Sequence, residues 1–209
     1  VLRIYGYNNV DLPEHMVSSV NVAPKPDPER IRMLASEYLS ANGFMEMMNN
    51  SLTKSDYYDS LVTYPRKNCV MIYNPLSSDL NCMRQTLILN GLEVIAYNIH
   101  RQQTELKLYE LGNVYSFNPD YVKTEEEKSM LKAYIERPKF AMFITGEGQK
   151  GWRNCTVAGD YFSLKGYMEL LLSKFGVELK DLDYCGVSAD IFSDCLSYKV
   201  QGGKEIAIM

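Results

Sequence analysis

The chain has 209 residues, of which 46% are hydrophobic and 23% charged, and its formal net charge is −4. This length supports one good-sized core, and the acidic balance argues against autonomous binding to DNA or RNA, which needs a basic surface. No apolar run reaches the roughly 18–20 residues of a membrane span, and five cysteines without a CxxC pair or a signal peptide indicate a reduced, cytoplasmic protein.

The two ends of the sequence indicate a piece of a longer protein. The chain begins at Val1 rather than at methionine and stops at Met209, inside what reads as a strand. Residues 1–20 carry aromatic and turn residues without sustained periodicity, so we expect a linker or the tail of a preceding small domain. We expect residues 21–209 to form one domain, truncated at its C-terminal end.

Two amphipathic helices carry clear start and stop signals. The first is predicted over residues 28–42, with Asp27 as N-cap, Pro28 in the first helical position and Gly43 after the end. The second is predicted over residues 160–175, with Asp160 or Ser163 as cap, and Gly176 closes it.

Between these two helices, residues 74–99 predict a turn followed by a buried helix. Asn74 and Pro75 break the preceding segment, and Ser77 or Ser78 is expected to cap the helix, with Asp79 near its positive end. Residues 80–99 are apolar on nearly every face, as is typical of a helix inside a layered fold.

The remaining segments read mainly as strands. Residues 44–53, 69–73, 106–117 and 139–146 have strand character, the second as a buried strand and the third interrupted by Gly112, and the charged residues 119–138 read as a solvated insertion. Strands that alternate irregularly with three helices indicate an α+β fold with a mostly antiparallel sheet flanked by helices.

The formal GxGxxG motif "GEGQKG" at residues 146–151 does not predict a dinucleotide site. Such a site needs a helix directly after the glycines and an acidic residue about twenty positions on. The next residues are "WRNCTVAGD", and the position twenty on is Leu171. We therefore interpret the motif as a hairpin turn.

Catalytic and metal-binding side chains are poorly supplied. The sequence has only His15 and His100, and a pairing of Cys82 or Ser78 with His100 would lack an orienting third group. No His/Cys cluster has metal-ligand spacing, and the acidic run at 125–127 reads as a solvated face. We expect no catalytic, cofactor or metal site in this chain.

Arg84 is the most informative charged residue. An arginine in an apolar segment is costly unless its guanidinium is paired. It could bind an anionic ligand, or it could act as an internal clamp, with carboxylates available at Asp79, Glu93 and Glu110. We favour the clamp, and we name Arg84 and Asp79 as its residues, because buried charges are usually paired internally.

Several segments together resemble the β chain of bacterial phenylalanyl-tRNA synthetase. They are "RIYGYNNV" (3–10), the proline-led helix that ends in Asn-Gly-Phe (42–44), "NPLSSDLNCMRQTLILNGL" (74–92), "LYELGNVY" (108–115), "GW" (151–152) and "DYFSLKGYMELLL" (160–172). The resemblance covers almost the whole chain in the family's order. It implies a class II synthetase-like fold in a chain that is not the catalytic one.

The residues that class II synthetases use to bind ATP are missing. The resemblance implies two ATP-binding arginines, one in the motif Phe-Arg-x-Glu and the other in the motif Gly-x-Gly-x-x-x-Arg. Together they stabilise charge on the phosphate oxygens. Here the strand that corresponds to the first motif ends in Tyr115-Ser116-Phe117, and Gly202-Gly203 is followed by Lys204. We expect a domain that does not activate an amino acid.

The resemblance also implies partners. In the family, two catalytic α chains and two β chains form an α2β2 heterotetramer that joins phenylalanine to tRNA(Phe) with ATP and magnesium. Helix 28–42 matches the dimerisation helix of class II synthetases, and its interface candidates are Met33, Tyr38 and Asn42. The alternative is a stand-alone RNA- or amino-acid-binding module with a synthetase-like fold.

Overall fold

The structure is a computed structural model and describes residues 2–9, 27–121, 130–146, 159–200 and 203–209. These residues form four α-helices, which are α1 (Leu2–Tyr5), α2 (Pro28–Ala41), α3 (Ile88–Ile99) and α4 (Tyr161–Lys174). They also form nine strands, which are β1 (Met45–Glu46), β2 (Leu52–Thr53), β3 (Val70–Met71), β4 (Cys82–Met83), β5 (Leu106–Phe117), β6 (Tyr134–Thr145), β7 (Leu182–Gly186), β8 (Leu196–Val200) and β9 (Glu205–Ile208).

Helix α2 begins and ends where the sequence predicts. The Asp27 carboxylate accepts the backbone N–H of Glu29, and Pro28 occupies the first turn, where its missing N–H costs nothing. At the other end, Gly43 has φ +82 and donates to Ser40 O, while Phe44 donates to Leu39 O. This is a Schellman motif, and its apolar contact is present because Phe44 and Leu39 lie in one buried cluster.

Helix α4 has the same kinds of N-terminal and C-terminal caps as α2. The Asp160 carboxylate accepts the backbone N–H of Ser163, so Asp160 rather than Ser163 is the cap. At its end, Gly176 has φ +80 and donates to Ser173 O, and Val177 donates to Leu172 O. Both helix predictions are confirmed.

The longest strands form a sheet in the order β1-β5-β6. β5 and β6 pair antiparallel over their full length, from Leu106 opposite Thr145 to Phe117 opposite Tyr134. Gly112 pairs with Lys139 inside this ladder and does not interrupt the strand. Since β6 begins at Tyr134, the last residues of the predicted charged insertion belong to the sheet instead.

Helices cover both faces of this sheet. On one face, α2 and α4 pack against β5 and β6 around buried Leu39, Phe44 and Tyr109. On the other face, α3 packs through Ile95 against Leu106 and Leu108. Glu110 and Gly112 follow Leu108 at a spacing of two, so they lie on the α3 face of the strand.

Two predictions for the segment before α3 are wrong. Residues 80–87 do not continue the helix, because Cys82–Met83 form β4, the central strand of a sheet with the order β2-β4-β3. Segment 69–73 is not a buried strand, because β3 has only two residues and lies at the sheet edge with Met71 exposed. Segment 44–53 contributes two short strands to different sheets, β1 and β2.

A third sheet, in the order β7-β8-β9, is antiparallel throughout. The fold is therefore mixed α and β, with antiparallel pairing everywhere except between β1 and β5. The described residues form three three-stranded sheets rather than the single sheet that we expected. Within these residues, no helix has the length and apolarity that a membrane crossing requires.

Several predictions fall outside the described residues. These are the domain boundary near residue 20, His15, the acidic run at 125–127 and most of the "GEGQKG" motif. They stay predictions.

Candidate functional site

Arg84 directly follows β4, and its backbone joins two sheets. Its N–H donates to Ser51 O over 2.9 Å, and its C=O accepts the N–H of Tyr115 in β5 over 2.8 Å. The residue is therefore held on extended backbone between the β2-β4-β3 sheet and the β1-β5-β6 sheet, and not inside a helix as we expected.

The Arg84 side chain lies inside the protein and makes two hydrogen bonds there. Nη1 is 2.6 Å from Glu110 Oε1, and Nε donates to Asn113 O over 3.0 Å. The second Glu110 oxygen accepts the Asn49 side-chain amide over 2.7 Å. The side chains of Arg84 and Glu110 are only 3% and 2% exposed, respectively. Burial is costly for either charge alone, so the pairing is what permits both.

Gly112 provides the space for this ion pair. A Cβ atom on Gly112 would lie 2.2 Å from Arg84 Nη2, which is far inside van der Waals contact. A glycine inside a strand often marks a close approach of another group. Here the group is the guanidinium, which passes directly over the backbone of β5.

This geometry does not offer the guanidinium to an anionic ligand from solvent, because the side chain is buried and bonded to Glu110 and Asn113 O. To bind there, a phosphate or carboxylate would have to replace the bond to Glu110 or to Asn113 O. It would also have to give up its hydration in order to enter a buried site. The arrangement instead joins β4 to β5 through a charge-assisted hydrogen bond.

Asp79 does not take part in this arrangement, so its inclusion with Arg84 is a correction to our prediction. It lies on the surface, where its carboxylate is 3.2 Å from Lys54 Nζ, and its N–H donates to Ser77 Oγ. The reason is local, because residues 78–80 form a 3-10 turn before β4 rather than the first turn of a helix. Glu93 is also engaged elsewhere, accepting the Tyr57 hydroxyl, and this bond raises the pKa of Tyr57 to about 12.

The three interface candidates differ in accessibility. Met33 is 58% exposed on α2. Tyr38 is half-buried beneath Lys174, whose Nζ is 5.0 Å from the ring centroid. Asn42 serves the helix end, since its side-chain amide donates to Tyr38 O over 2.7 Å. Of the three, Met33 has the side chain that is most available to another chain.

An open groove of about 700 Å³ runs beside Met33. It lies between the N-terminal half of α2 and strands β1 and β5. Most of the side chains that line it are charged, and two are apolar. The lining residues are Asp27, Glu29, Arg30, Arg32, Met33, Ser36, Glu46 and Leu111.

The candidate nucleophiles do not meet a base. Cys82 is fully buried and donates to Thr53 O over 3.5 Å, whereas Ser78 and His100 are exposed. Within the described residues, no group of three or more His, Cys, Asp or Glu side chains could hold a metal ion.

Sequence reasoning missed Asn49 and Gly112 as members of the ion-pair site. A signal for Gly112 was present, since a glycine in the middle of an apolar strand pattern indicates close packing of another group. Asn49 carried no comparable signal, because its contact with Glu110 joins residues 61 positions apart.

Comparison of the sequence with known families gives one description. Residues 12–207 match the family model described as phenylalanyl tRNA synthetase beta chain CLM domain. A phenylalanine–tRNA ligase beta subunit of Bacteroides fragilis (strain YCH46) is 41% identical over 209 residues, which are 99% of this chain and 25% of the relative. The corresponding subunit of Porphyromonas gingivalis is 33% identical over 98% of this chain and 25% of its own length. The chain thus spans about a quarter of the length of these curated relatives.

Solved structures give a likeness of fold. A pyrrolysyl tRNA synthetase, PylSc, from Desulfitobacterium hafniense has a TM-score of 0.56 at 14% identity, over 90% of this chain and 59% of that one. A second structure of pyrrolysyl-tRNA synthetase from this organism also has a TM-score of 0.56, at 11% identity. At these identities the likeness concerns the fold alone.

Proposed function

The chain belongs to the phenylalanyl-tRNA synthetase β-chain family, and from that membership we propose that it is a non-catalytic, class II synthetase-like domain that scaffolds the catalytic α subunit. The whole enzyme is then a phenylalanine–tRNA ligase that uses ATP and magnesium. In this proposal the partners are the α chain, in an α2β2 heterotetramer, and tRNA(Phe), and the enzyme is cytoplasmic.

The engagement of Arg84 is the observation that supports a non-catalytic role. Its guanidinium is paired with Glu110 and Asn113 O inside the protein, so its N–H groups do not face a nucleotide site. At the end of β5, Tyr115, Ser116 and Phe117 stand where the family resemblance implies an ATP-binding arginine. Without positive charge on the phosphates, the charge that develops during adenylation would not be stabilised. ATP and magnesium are therefore assigned to the α subunit.

We expect no binding of ATP with magnesium, or of phenylalanine, to the β subunit that carries this chain. Isothermal titration calorimetry measures it directly, first with the β subunit alone and then with the αβ complex as the positive control. Micromolar binding of ATP to the β subunit alone would contradict the non-catalytic assignment. Binding of phenylalanine alone would favour an amino-acid-binding module.

The exposed face of α2 supports the scaffold role. Met33 is an exposed apolar side chain beside an open groove whose lining carries charges of both signs, including Arg30, Arg32 and Glu46. Interfaces favour methionine and arginine at their centres, with polar groups around them. The opposite face of α2 is occupied, because Ala35 and Leu39 are buried against the sheet.

We expect Met33→Glu to weaken co-purification of the α subunit, because the substitution places a charge in the centre of the proposed contact. Leu170→Glu on α4 is the matched control, since Leu170 is also a helical apolar residue with 58% exposure. Pull-down of the co-expressed α subunit, quantified against the wild-type chain, gives the result. Equal loss with both variants, or no loss with Met33→Glu, would argue against α2 as the interface.

A further inference from the structure

Two buried cysteines lie in one cluster, Cys82 in β4 and Cys69 directly before β3. Cys82 in β4 is directly opposite Met71 in β3, and Cys69 precedes Met71 by two residues with extended backbone (φ −69, ψ 138). Side chains two apart on a strand share a face, so both thiols lie on the same side of the sheet. They belong to one buried cluster with Tyr58, and their exposures are 6% for Cys69 and 0% for Cys82.

The Cys69 sulfur has a hydrogen-bond donor aimed at it. Gln85 Nε2 lies 3.0 Å from Cys69 Sγ and 3.1 Å from Pro65 O. Gln85 is itself fixed, because its backbone N–H donates to the Tyr58 hydroxyl over 3.0 Å. A fixed N–H donor stabilises a thiolate more than a neutral thiol, because hydrogen bonds to ionised acceptors are the stronger ones.

The two thiols differ in acidity. The hydrogen bond with Cys82 is the largest cause that lowers the pKa of Cys69, and the Gln85 donor and the Arg66 charge lower it as well. Burial and the Asp59 carboxylate act in the opposite direction and raise it. The same contact with Cys69, together with burial, raises the pKa of Cys82. In the structure the Cys82 thiol donates to Thr53 O. One thiolate beside one thiol is the arrangement of a nucleophilic and a resolving cysteine.

We propose that Cys69 and Cys82 are a hydroperoxide-reactive pair that closes to a disulfide within the β2-β4-β3 sheet. The Cys69 thiolate attacks one peroxide oxygen, an S–O bond forms, the O–O bond breaks, and the leaving oxygen takes a proton from solvent. The Cys82 thiol then loses its proton and attacks the Cys69 sulfur, so that an S–S bond forms and hydroxide leaves as water. Two thiols lose two electrons and two protons, and one hydrogen peroxide becomes two waters.

In this proposal the oxidant reaches buried Cys69 when β3 opens locally. β3 is an edge strand of two residues, and short edge strands with few buried contacts open locally at low cost. The disulfide would join this edge to β4, the strand that leads directly to Arg84. Oxidation would thereby fix the element that holds the buried ion pair.

Peptide mapping of the whole protein that carries this chain tests the proposal. The reduced protein is treated with hydrogen peroxide at pH 7, free thiols are alkylated, and trypsin is added. Cleavage after Lys67 and Arg84 releases residues 68–84 as one peptide with both cysteines. Residues 181–199 are released as an internal control with Cys185, which lies in β7 opposite Ser197, and Cys195, which directly precedes β8 and lies two residues before Ser197.

We expect peptide 68–84 to become lighter by two hydrogen atoms and to resist alkylation before peptide 181–199 does, because the Gln85 donor favours a thiolate at Cys69. Gln85→Met should slow this oxidation, because it removes the donor to Cys69. Cys82→Ser should stop the reaction at a sulfenic acid on Cys69, which dimedone traps.

The proposal is overturned if both thiols of peptide 68–84 still alkylate after the exposed Cys185 has been oxidised. It is also overturned if Cys69 is oxidised while Cys82 stays free in the wild-type protein. Both outcomes are read from the wild-type protein, so they do not depend on the folding of any variant.

Discussion

Replacing Arg84 with methionine is expected to lower the free energy of unfolding by about 3–5 kcal/mol, because it leaves the Glu110 carboxylate buried without its positive partner. Glu110 is 1% exposed and would retain only the Asn49 amide on its side chain. The backbone of residue 84 would still bond Ser51 O and the Tyr115 N–H. The loss therefore reports on the charge and not on the strand contacts. Urea denaturation followed by circular dichroism measures it.

Two further variants separate the ion pair from general effects. Lys54→Met removes one partner of the exposed pair with Asp79, whose side chains are 39% and 64% exposed, and it should cost less than about 1 kcal/mol. The double variant Arg84→Met/Glu110→Leu removes both buried charges and should recover most of the stability lost in Arg84→Met. If Arg84→Met costs no more than Lys54→Met, Arg84 is not an internal clamp, and a ligand role for its guanidinium returns.

Gly91→Ala is expected to destabilise the protein, whereas Gly166→Ala should stabilise it, although both glycines lie inside helices. A Cβ on Gly91 in α3 would lie 2.2–2.8 Å from three ring atoms of Phe143 in β6. Phe143 is partly buried and packs against the core cluster beneath α3, so a shift of its ring would disturb that packing. Overpacking of this kind costs about 1–3 kcal/mol, more than alanine returns in helix propensity, which is at most about 1 kcal/mol.

Gly166 in α4 is the matched control. A Cβ at this position meets nothing within 4 Å, so the helix propensity of alanine is gained without a clash. We expect an increase of about 0.5–1 kcal/mol in the free energy of unfolding. Thermal denaturation of both variants measures whether the stability falls for Gly91→Ala and rises for Gly166→Ala. A shift in the same direction for both would show that α3 and β6 do not pack as closely as the structure has them.

The local features of this fold were readable from the sequence. The caps at Asp27 and Asp160 and the terminal glycines Gly43 and Gly176 act within one or two turns of the chain. Their geometry depends on backbone groups no more than a few positions away. The β5 strand was also predicted with its observed bounds, because aliphatic and aromatic residues recur along its twelve positions, although the predicted interruption at Gly112 is absent.

The helix predicted from residue 80 was wrong for a nonlocal reason. Residues 80–87 mix apolar side chains (Leu80, Met83, Leu87) with polar ones, and a segment this short does not distinguish the start of a helix from a strand. The choice is made by Thr53 and Met71, which pair with Cys82 from 29 and 11 positions away, respectively. The strand displaces the start of the helix to Ile88, and Asp79 is left in a surface turn.

The sequence by itself determined the family, the capped helices and the long strand, because these depend on residue patterns and on contacts between near neighbours in the chain. It also indicated that Arg84 needs a partner, since an unpaired buried guanidinium is too costly. Only the tertiary structure decided that this partner is Glu110 rather than Asp79, that Gly112 provides the space, and that Cys69 meets Cys82. Each of these contacts joins separate strands, and the distance between two strands is set by how the sheets pack and not by any local preference of the residues.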